Sequence, residues 1–278
     1  MIDFSPDQKA ITIPEGTVFR ILGKDSVLWL KDYLNYTLSS DGTYYTCDGV
    51  RDGYDDTEFV ILGEYNGIPV TAIGASAFYQ HGRITSVTIR EGITSIGNDA
   101  FREVSGASKL VNIKLPDSLK EIGDGTFRYA AKMELAELPA GITKILDQAF
   151  YGCSRVTFTA LPVGITTIYS QCFRGCSRMA LTELPPKLKG IETQGFYTCS
   201  ALAIKKIPAT VTSIASSAFY NCTGLTELTF EGTPKTINAS AFNGCTNLKT
   251  INVPWAEGAV ADAPWGATNA VINYNYTG

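Results

Sequence analysis

A Phe with an Ile five residues before it recurs along most of the chain at a fixed spacing. Six of the seven gaps between successive Phe residues are 23 residues long, and the gap from Phe101 to Phe127 is 26. A fixed period of this length indicates a repeat architecture, in which each unit buries its apolar face against its neighbours. The eight Phe residues are Phe78, Phe101, Phe127, Phe150, Phe173, Phe196, Phe219 and Phe242.

Each repeat can be numbered from its Phe, taken as position 0. Position −1 is small, position +3 is Cys in five repeats, positions +6 and +11 are apolar, and Pro often follows +11. Pro cannot donate to a sheet ladder, so it is suited to end a strand that runs from +6 to +11. The pattern predicts a repeat solenoid of about eight 23-residue coils that is mainly β, with a short helical turn around each Phe. At about 4.8 Å per coil the eight strands would form a parallel sheet roughly 40 Å long.

The extra three residues after Phe101 lie within Glu103–Lys109. They are expected to bulge from the side opposite the sheet without breaking the register. Before the repeats, Asp41-Gly42 separates two β-prone runs, which is a hairpin signal. We therefore predict that residues 33–62 form antiparallel strands that cap the first coil, since the end of a stack otherwise exposes core and an unpaired strand edge.

The spacing of the apolar residues resembles a known repeat family. The pattern L-x-x-I-x-[LI]-P, then V/I-x-x-I and A-F-x-x-C, is similar to the bacterial-surface-antigen type of leucine-rich repeat, the BspA-like family. Leu110 through Phe127 and Phe219 through Leu225 carry the resemblance best. Residues 255–278 resemble a C-terminal segment that follows such repeats in bacterial and prophage-encoded proteins. The resemblance implies surface adhesion and macromolecular binding rather than catalysis.

These features suggest four parts of the chain. They are an N-terminal segment (1–32), an N-terminal β cap (33–68), the leucine-rich-repeat solenoid (69–254) and a C-terminal cap (255–278).

The four middle repeats depart from the others, because their apolar residue stands at +8 instead of +9. In a regular strand this shift turns the side chain to the other face, which would give an exposed apolar stripe suited to a partner. Alternatively, a local bulge returns +8 to the core and leaves +9 outside. A Lys at +9, Lys205, favours the bulge, because a buried unpaired Lys is costly. The +8 residues are Leu135, Phe158, Leu181 and Ile204.

The seven cysteines and the single histidine fit structural roles. Five cysteines stand at +3, Cys172 takes a small-residue site, and only Cys47 lies off the repeat lattice. Stacked side chains run parallel, which keeps their Cβ atoms too far apart for disulfides. We expect free, buried thiols that act as small hydrophobes, and no metal site. His81 takes a +3 position and is expected to be a partly buried structural residue.

An acidic loop, Asp52–Glu58, precedes the repeats. It is read either as a calcium loop or, more simply, as a solvated turn, since its spacing does not match an EF-hand.

Charge and hydropathy narrow the classes of partner. The net charge is −4 and the pI about 5.2, which does not match the basic face expected of a nucleic-acid-binding protein. No run of 18 apolar residues occurs, so membrane insertion is not expected. The N-terminus lacks the features of a signal peptide, so either this route of export is not used or a leader has been removed.

Position +1 should face outward on the turn side of each coil. Tyr and Arg are favoured at binding hot spots, so this row is the candidate site for a protein or glycan partner. Alternatively, these amphipathic side chains only cover the adjacent turn. The candidate residues are Tyr79, Arg102, Arg128, Tyr151, Arg174, Tyr197 and Tyr220.

The sequence thus favours a non-catalytic binding or adhesion module, without cofactor and expected to be monomeric. It would act outside the cell, at the cell surface or on a virus particle. The alternative is a structural spacer or a phage tail-associated component. No fingerprint of a catalytic nucleophile, P-loop or dinucleotide site occurs, so we do not expect an enzyme.

Overall fold

The computed structural model describes residues 18–23, 26–30 and 33–278. The first two ranges are strands β1 (Val18–Gly23) and β2 (Ser26–Leu30), which pair antiparallel. The rest of the N-terminal segment lies outside the described residues.

The solenoid begins before the first Phe. Strands β3 (Leu34–Leu38) and β4 (Tyr45–Val50) form the antiparallel hairpin that the Asp-Gly turn predicts. Strand β5 (Glu58–Ile61) is different, because it runs parallel to β8 (Ser86–Ile89). The antiparallel prediction for residues 33–62 is therefore right for β3 and β4 and wrong for β5, whose side chains stand in register with the +8 to +11 positions of the next coil.

The first coil also contains Cys47, which was expected off the lattice. Cys47 pairs in register with Ile73 of β7 (Ile68–Ile73), so it occupies the −5 position of that coil. A short strand, β6 (Glu64–Tyr65), folds back antiparallel on β7.

Two ladders of parallel strands run along the stack. Ladder A joins positions −6 and −5 of successive coils, where the Ile is buried and its neighbour faces outward. Its strands after β7 are β9 (Ser95–Ile96), β11 (Glu121–Ile122), β12 (Lys144–Ile145), β13 (Thr167–Ile168), β14 (Gly190–Ile191), β16 (Ser213–Ile214) and β18 (Thr236–Ile237). Ladder B joins positions +8 to +11. Its strands after β5 and β8 are β10 (Asn112–Lys114), β15 (Lys206–Ile207), β17 (Glu227–Phe230), β19 (Thr250–Asn252) and β20 (Val271–Asn273).

Ladder B is interrupted in the middle of the solenoid, so the prediction of one continuous sheet of eight coils is wrong. The coils of Phe127, Phe150 and Phe173 have no strand at +8 to +11, apart from an isolated bridge between Asn112 and Glu134. Turning +8 inward breaks the alternation that holds a ladder in register. One hydrogen bond per coil boundary remains, as from the Ala180 amide to the Phe158 carbonyl at 3.0 Å.

The local bulge at +8 is confirmed. Phe158, Leu181 and Ile204 are buried and Leu135 is partly buried against the core. The residues after them at +9 are all exposed: Ala136, Thr159, Thr182 and Lys205. There is consequently no apolar stripe at +8 for a partner.

The turns around the Phe residues are not helical, as was predicted, and the described residues contain no helix. Positions −2 and +2 adopt the left-handed region, for example Gln171 with φ 55° and Tyr129 with φ 63°. A left-handed residue on either side of the Phe stops a right-handed helical run. The amides at −2, 0 and +2 instead donate to carbonyls of the next coil, as from Phe219 to Ala241 at 2.9 Å.

The Phe column forms the centre of the core. Successive Phe rings have centroids 4.9–5.7 Å apart, and each side chain is no more than 2% exposed. The inserted residues Val104–Ala107 are exposed, and Ile113 still pairs with Val87 beyond them. The predicted bulge with conserved register is confirmed.

The C-terminal segment adds another coil. Strand β20 lies parallel to β19, with Ile272 in register with Ile251. Trp255 and Trp265 are buried and their ring centroids lie 5.3 Å and 6.2 Å from that of Phe230. The described residues contain no helix that is long and apolar enough to cross a membrane.

Candidate binding surface on the turn side

The +1 side chains form a row along the turn side of the stack. The left-handed residues at −2 and +2 aim +1 outward, while position 0 and position +3 point into the core. Tyr79 is 40% exposed and the other six candidate residues are half-buried. The structure thus places all seven predicted residues on one surface, which we call the turn-side row.

Neighbouring members of the row contact each other across the coil boundaries. The guanidinium of Arg102 lies 5.5 Å from the ring centroid of Tyr79. That of Arg174 lies between Tyr151 and Tyr197, at 5.1 Å and 4.3 Å. The row continues with Tyr197 and Tyr220, whose rings stack at 4.5 Å. Because the side chains hold each other in place, the row is ordered before any partner arrives.

Residues at −2 fix the guanidinium groups further. Arg128 Nη1 donates to Gln148 Oε1 at 2.5 Å, and Arg174 Nη1 donates to Gln194 Oε1 in the same way two coils later. Gln is a neutral acceptor, so it orients these cations without cancelling their charge.

Arg102 is the exception among the arginines of the row. It forms an ion pair with Asp99 at 3.2 Å.

Tyr129 at +2 is a member of this surface that the sequence analysis missed. Its ring centroid lies 5.0 Å from the Arg128 guanidinium and 5.2 Å from the ring of Tyr151. The hydrogen bond and positive charge from Arg128 lower the pKa of the Tyr129 hydroxyl. The available signal was an aromatic residue at +2, where most other repeats have Gly, Thr or Asn.

A second row on the same side was also missed. Position +5 is basic in the first five repeats and exposed in all of them. Numbering each repeat from its Phe would have revealed this row as readily as the first. Its members are Arg83, Lys109, Lys132, Arg155 and Arg178.

The cysteines are all free and buried, as predicted. The structure adds a role for those at +3, because each Sγ lies close to the Phe carbonyl of the preceding coil, as Cys176 does to Phe150 at 3.2 Å. Burial raises the pKa of these thiols, to about 12 for Cys245. Since the thiolate is the reactive form, the thiols are inert at neutral pH.

His81 is half-buried, and its ring meets that of Phe59 edge-on at 5.8 Å. Burial, followed by the charge of Arg83, lowers the pKa of the imidazole. In the acidic loop Asp52 and Asp55 are exposed, and Asp55 lies 3.7 Å from Arg83. These contacts agree with a structural histidine and a solvated turn.

The interrupted part of ladder B opens a groove of about 750 Å³ near Leu184 and Pro208. The nearest exposed cation and carboxylate, Lys206 and Glu231, pair with each other at 2.9 Å. The turn side therefore offers the larger set of uncompensated charges.

Stacked coils with parallel ladders and a buried Phe column define a β-solenoid of the leucine-rich-repeat class. The profile of the BspA type leucine rich repeat region (6 copies) matches residues 71–203 and 147–258. The two matches together span well over half of the chain, so the protein belongs to this family.

Three solved structures resemble the fold. A leucine rich cell surface protein from Faecalibacterium prausnitzii has a TM-score of 0.64 and 21% identity, over 80% of this chain and 69% of its own. The Treponema pallidum leucine rich repeat protein (TpLRR) has 0.55 and 22%, over 79% and 89%. A leucine-rich repeat protein from Bacteroides ovatus has 0.51 and 22%, over 88% and 76%. Comparison with curated proteins gives no significant match.

Proposed function

We propose that the protein is a non-catalytic binding or adhesion module that recognises a protein or glycan partner through the turn-side row. The observation that carries the proposal is the continuous contact of Tyr and Arg side chains across five coils, from Arg128 to Tyr220. Tyr and Arg dominate binding hot spots, and a row ordered in advance loses little entropy on binding.

An extracellular or cell-surface location belongs to the same proposal. It is supported by family membership and by the structural likeness to a cell surface protein of Faecalibacterium prausnitzii. A virus particle is the alternative location. No part of the proposal needs a cofactor, and we expect the protein to act as a monomer.

The test is binding of the full chain to an array of purified glycans and a panel of purified secreted host proteins. The Tyr151→Ala/Arg174→Ala variant should weaken each saturable interaction at least about ten-fold, because truncating a hot-spot residue costs upward of 2 kcal/mol. Lys235→Ala, an exposed change away from the row, is the matched control and should bind like the wild type.

Two results would count against the proposal. Equal binding by the row variant and the wild type would place the site elsewhere. Failure of the wild type to bind any member of either panel would favour a structural spacer or a tail-associated component, in which the repeats set length and bind nothing.

A further inference from the structure

Eight cations cluster on the turn side of the first five repeats. We call them the basic patch. They are Arg83, Arg102, Lys109, Arg128, Lys132, Arg155, Arg174 and Arg178. Repeats six to eight have Tyr, Asn, Ala or Gly at the same positions, so the patch ends sharply. Because the whole chain carries a net charge of −4, this concentration is a local feature and not a general excess of basic residues.

The patch has a regular geometry. Between the two rows, the +4 residues are hydrogen-bonded across coil boundaries, as from Ser154 Oγ to the Ala131 carbonyl at 3.3 Å and from Ser177 Oγ to the Ser154 carbonyl at 3.5 Å. The +5 residues that follow must therefore stack one coil apart. Positions +1 and +5 of one coil are at most about 14 Å apart, since four residues of chain join them.

The charge of the patch is largely uncompensated. Three of its members have a carboxylate partner: Asp55 for Arg83, Asp99 for Arg102 and Glu134 for Arg155. For Arg128 and Arg174 the acceptors are the neutral oxygens of Gln148 and Gln194. A row of like charges spaced by one coil repels itself in the absence of an anion.

Arginine dominates the patch. It contains six of the nine arginines in the chain but only two of the fourteen lysines. The planar guanidinium forms paired hydrogen bonds with carboxylate, sulfate-like and phosphate groups, which an ammonium does not. The composition therefore favours a ligand whose anionic groups have several oxygens.

We propose that the basic patch binds an acidic polysaccharide, bearing carboxylate or sulfate groups, along the axis of the solenoid. This inference rests on the proposed function and names the class of its ligand. A polymer with an acidic group on every repeating unit can meet a row of equally spaced cations in any register. Single-stranded nucleic acid would stack its bases on aromatic rings, but the ring faces of Tyr151 and Tyr197 are already covered by guanidinium groups or by a neighbouring ring.

The experiment measures binding of the full chain to heparin, polygalacturonate, single-stranded DNA and neutral dextran, each at low and physiological salt. The wild type should bind heparin or polygalacturonate more tightly than DNA and should not bind dextran. The affinity should fall steeply with salt, because bound counterions are released from the polyanion. The triple variant Lys132→Gln/Arg155→Gln/Arg178→Gln should bind about ten-fold more weakly or worse, since three of the contacts are lost.

The matched control is Lys187→Gln/Lys189→Gln/Lys235→Gln, which removes the same charge from exposed positions outside the patch. It should stay within about two-fold of the wild type, because these charges are distant and screened. Equal loss in both variants would overturn the inference in favour of non-specific attraction, and tighter binding of DNA would overturn it in favour of nucleic acid. Absence of polyanion binding would refute the inference alone if the Tyr151→Ala/Arg174→Ala variant still loses a partner in the panels above.

Discussion

The +3 cysteines show how one residue type can satisfy two demands of a tightly stacked core. The Phe150 carbonyl accepts the Cys153 amide of its own coil at 3.1 Å and faces the Cys176 thiol of the next coil at 3.2 Å. A carbonyl oxygen has two lone pairs, and a buried one is costly when it lacks partners. Cys is small and apolar enough for the core while its S–H is a weak donor. The expectation of small hydrophobes was thus correct and incomplete.

These thiols make stability sensitive to alkaline pH. Burial raises the pKa of Cys47 and Cys245 to about 12 and that of the other five thiols as well. The thiol form therefore stabilises the folded state in full below the unfolded pKa of about 8.5, and this contribution is lost as the pH rises toward the folded pKa. The free energy of unfolding should fall by up to about 1.4 kcal/mol per pH unit for each thiol above that value.

Urea denaturation at a series of pH values from neutral to mildly alkaline measures this fall. The Cys47→Ala/Cys245→Ala variant is the control and should give a shallower slope, since two thiols no longer titrate. A free energy of unfolding that stays constant or rises over this range would contradict the assignment.

At the scale of strands and turns, the sequence predicts the core better than the hydrogen bonding. The 23-residue period places Phe and Ile in columns, and these columns are buried as expected. The period does not reveal which side of the coil pairs its backbone, because both +6 to +11 and −8 to −5 carry alternating apolar residues. The two-residue strands of ladder A, such as Thr167–Ile168, are too short to give a pattern of their own.

The left-handed turns were hidden for a related reason. Glycine, Asn and Asp are the residues that signal this conformation, but position −2 is Gln in three repeats and Ser in others. Gln148, Gln171 and Gln194 adopt it because the bonds to the next coil fix the backbone there. Tertiary contacts therefore override a local preference that would have favoured a helical turn.

The candidate surface was predictable only in part. The outward direction of +1 follows from the period, as does the basic character of +5 once the repeats are aligned. The pairing of Arg128 with Gln148 and of Arg174 with Gln194 is different. It depends on how far each coil is displaced from the next, which no single repeat encodes.

The interrupted ladder gives a test at this scale. Exchanging two neighbours, as Phe158→Thr/Thr159→Phe, keeps the composition and restores the apolar residue to +9, where the end coils have it. Because Phe158 is buried and Thr159 exposed, the exchange should lower the free energy of unfolding by about 3–5 kcal/mol, the cost of emptying a Phe site.

Denaturation by urea at neutral pH measures this effect. Thr159→Ser, a change at the same exposed position, serves as the control and should stay within about 0.5 kcal/mol. If the exchanged variant is as stable as the wild type, the middle coils can adopt the regular strand and the bulge is not fixed by packing.

Taken as a whole, the molecule is a one-dimensional stack in which each coil contacts only its neighbours. The last coil is held by Trp265, which is fully buried and donates from Nε1 to the Ala261 carbonyl at 2.6 Å. On the other side of the stack β20 closes ladder B. Local stability should therefore depend on local contacts.

Trp265→Ala should weaken the last coil by about 3–5 kcal/mol, because a large buried side chain is removed. Hydrogen exchange should accelerate in β20 and β19 and remain unchanged in β9 and β11, which lie many coils away. Tyr276→Ala, at a 40% exposed residue, is the control and should alter neither region. Uniform acceleration along the whole chain would mean that the stack unfolds as one cooperative unit.

The constant coil length has a mechanical consequence. A protein anchored at one end and pulled at the other would lose its coils from the ends, since the terminal ones have a single neighbour. Each released coil of 23 residues would lengthen the chain by roughly 75–80 Å. The regular Phe column thus gives the molecule a stepwise extensibility, with a nearly equal increment for every coil, and the 26-residue repeat would appear as one longer step.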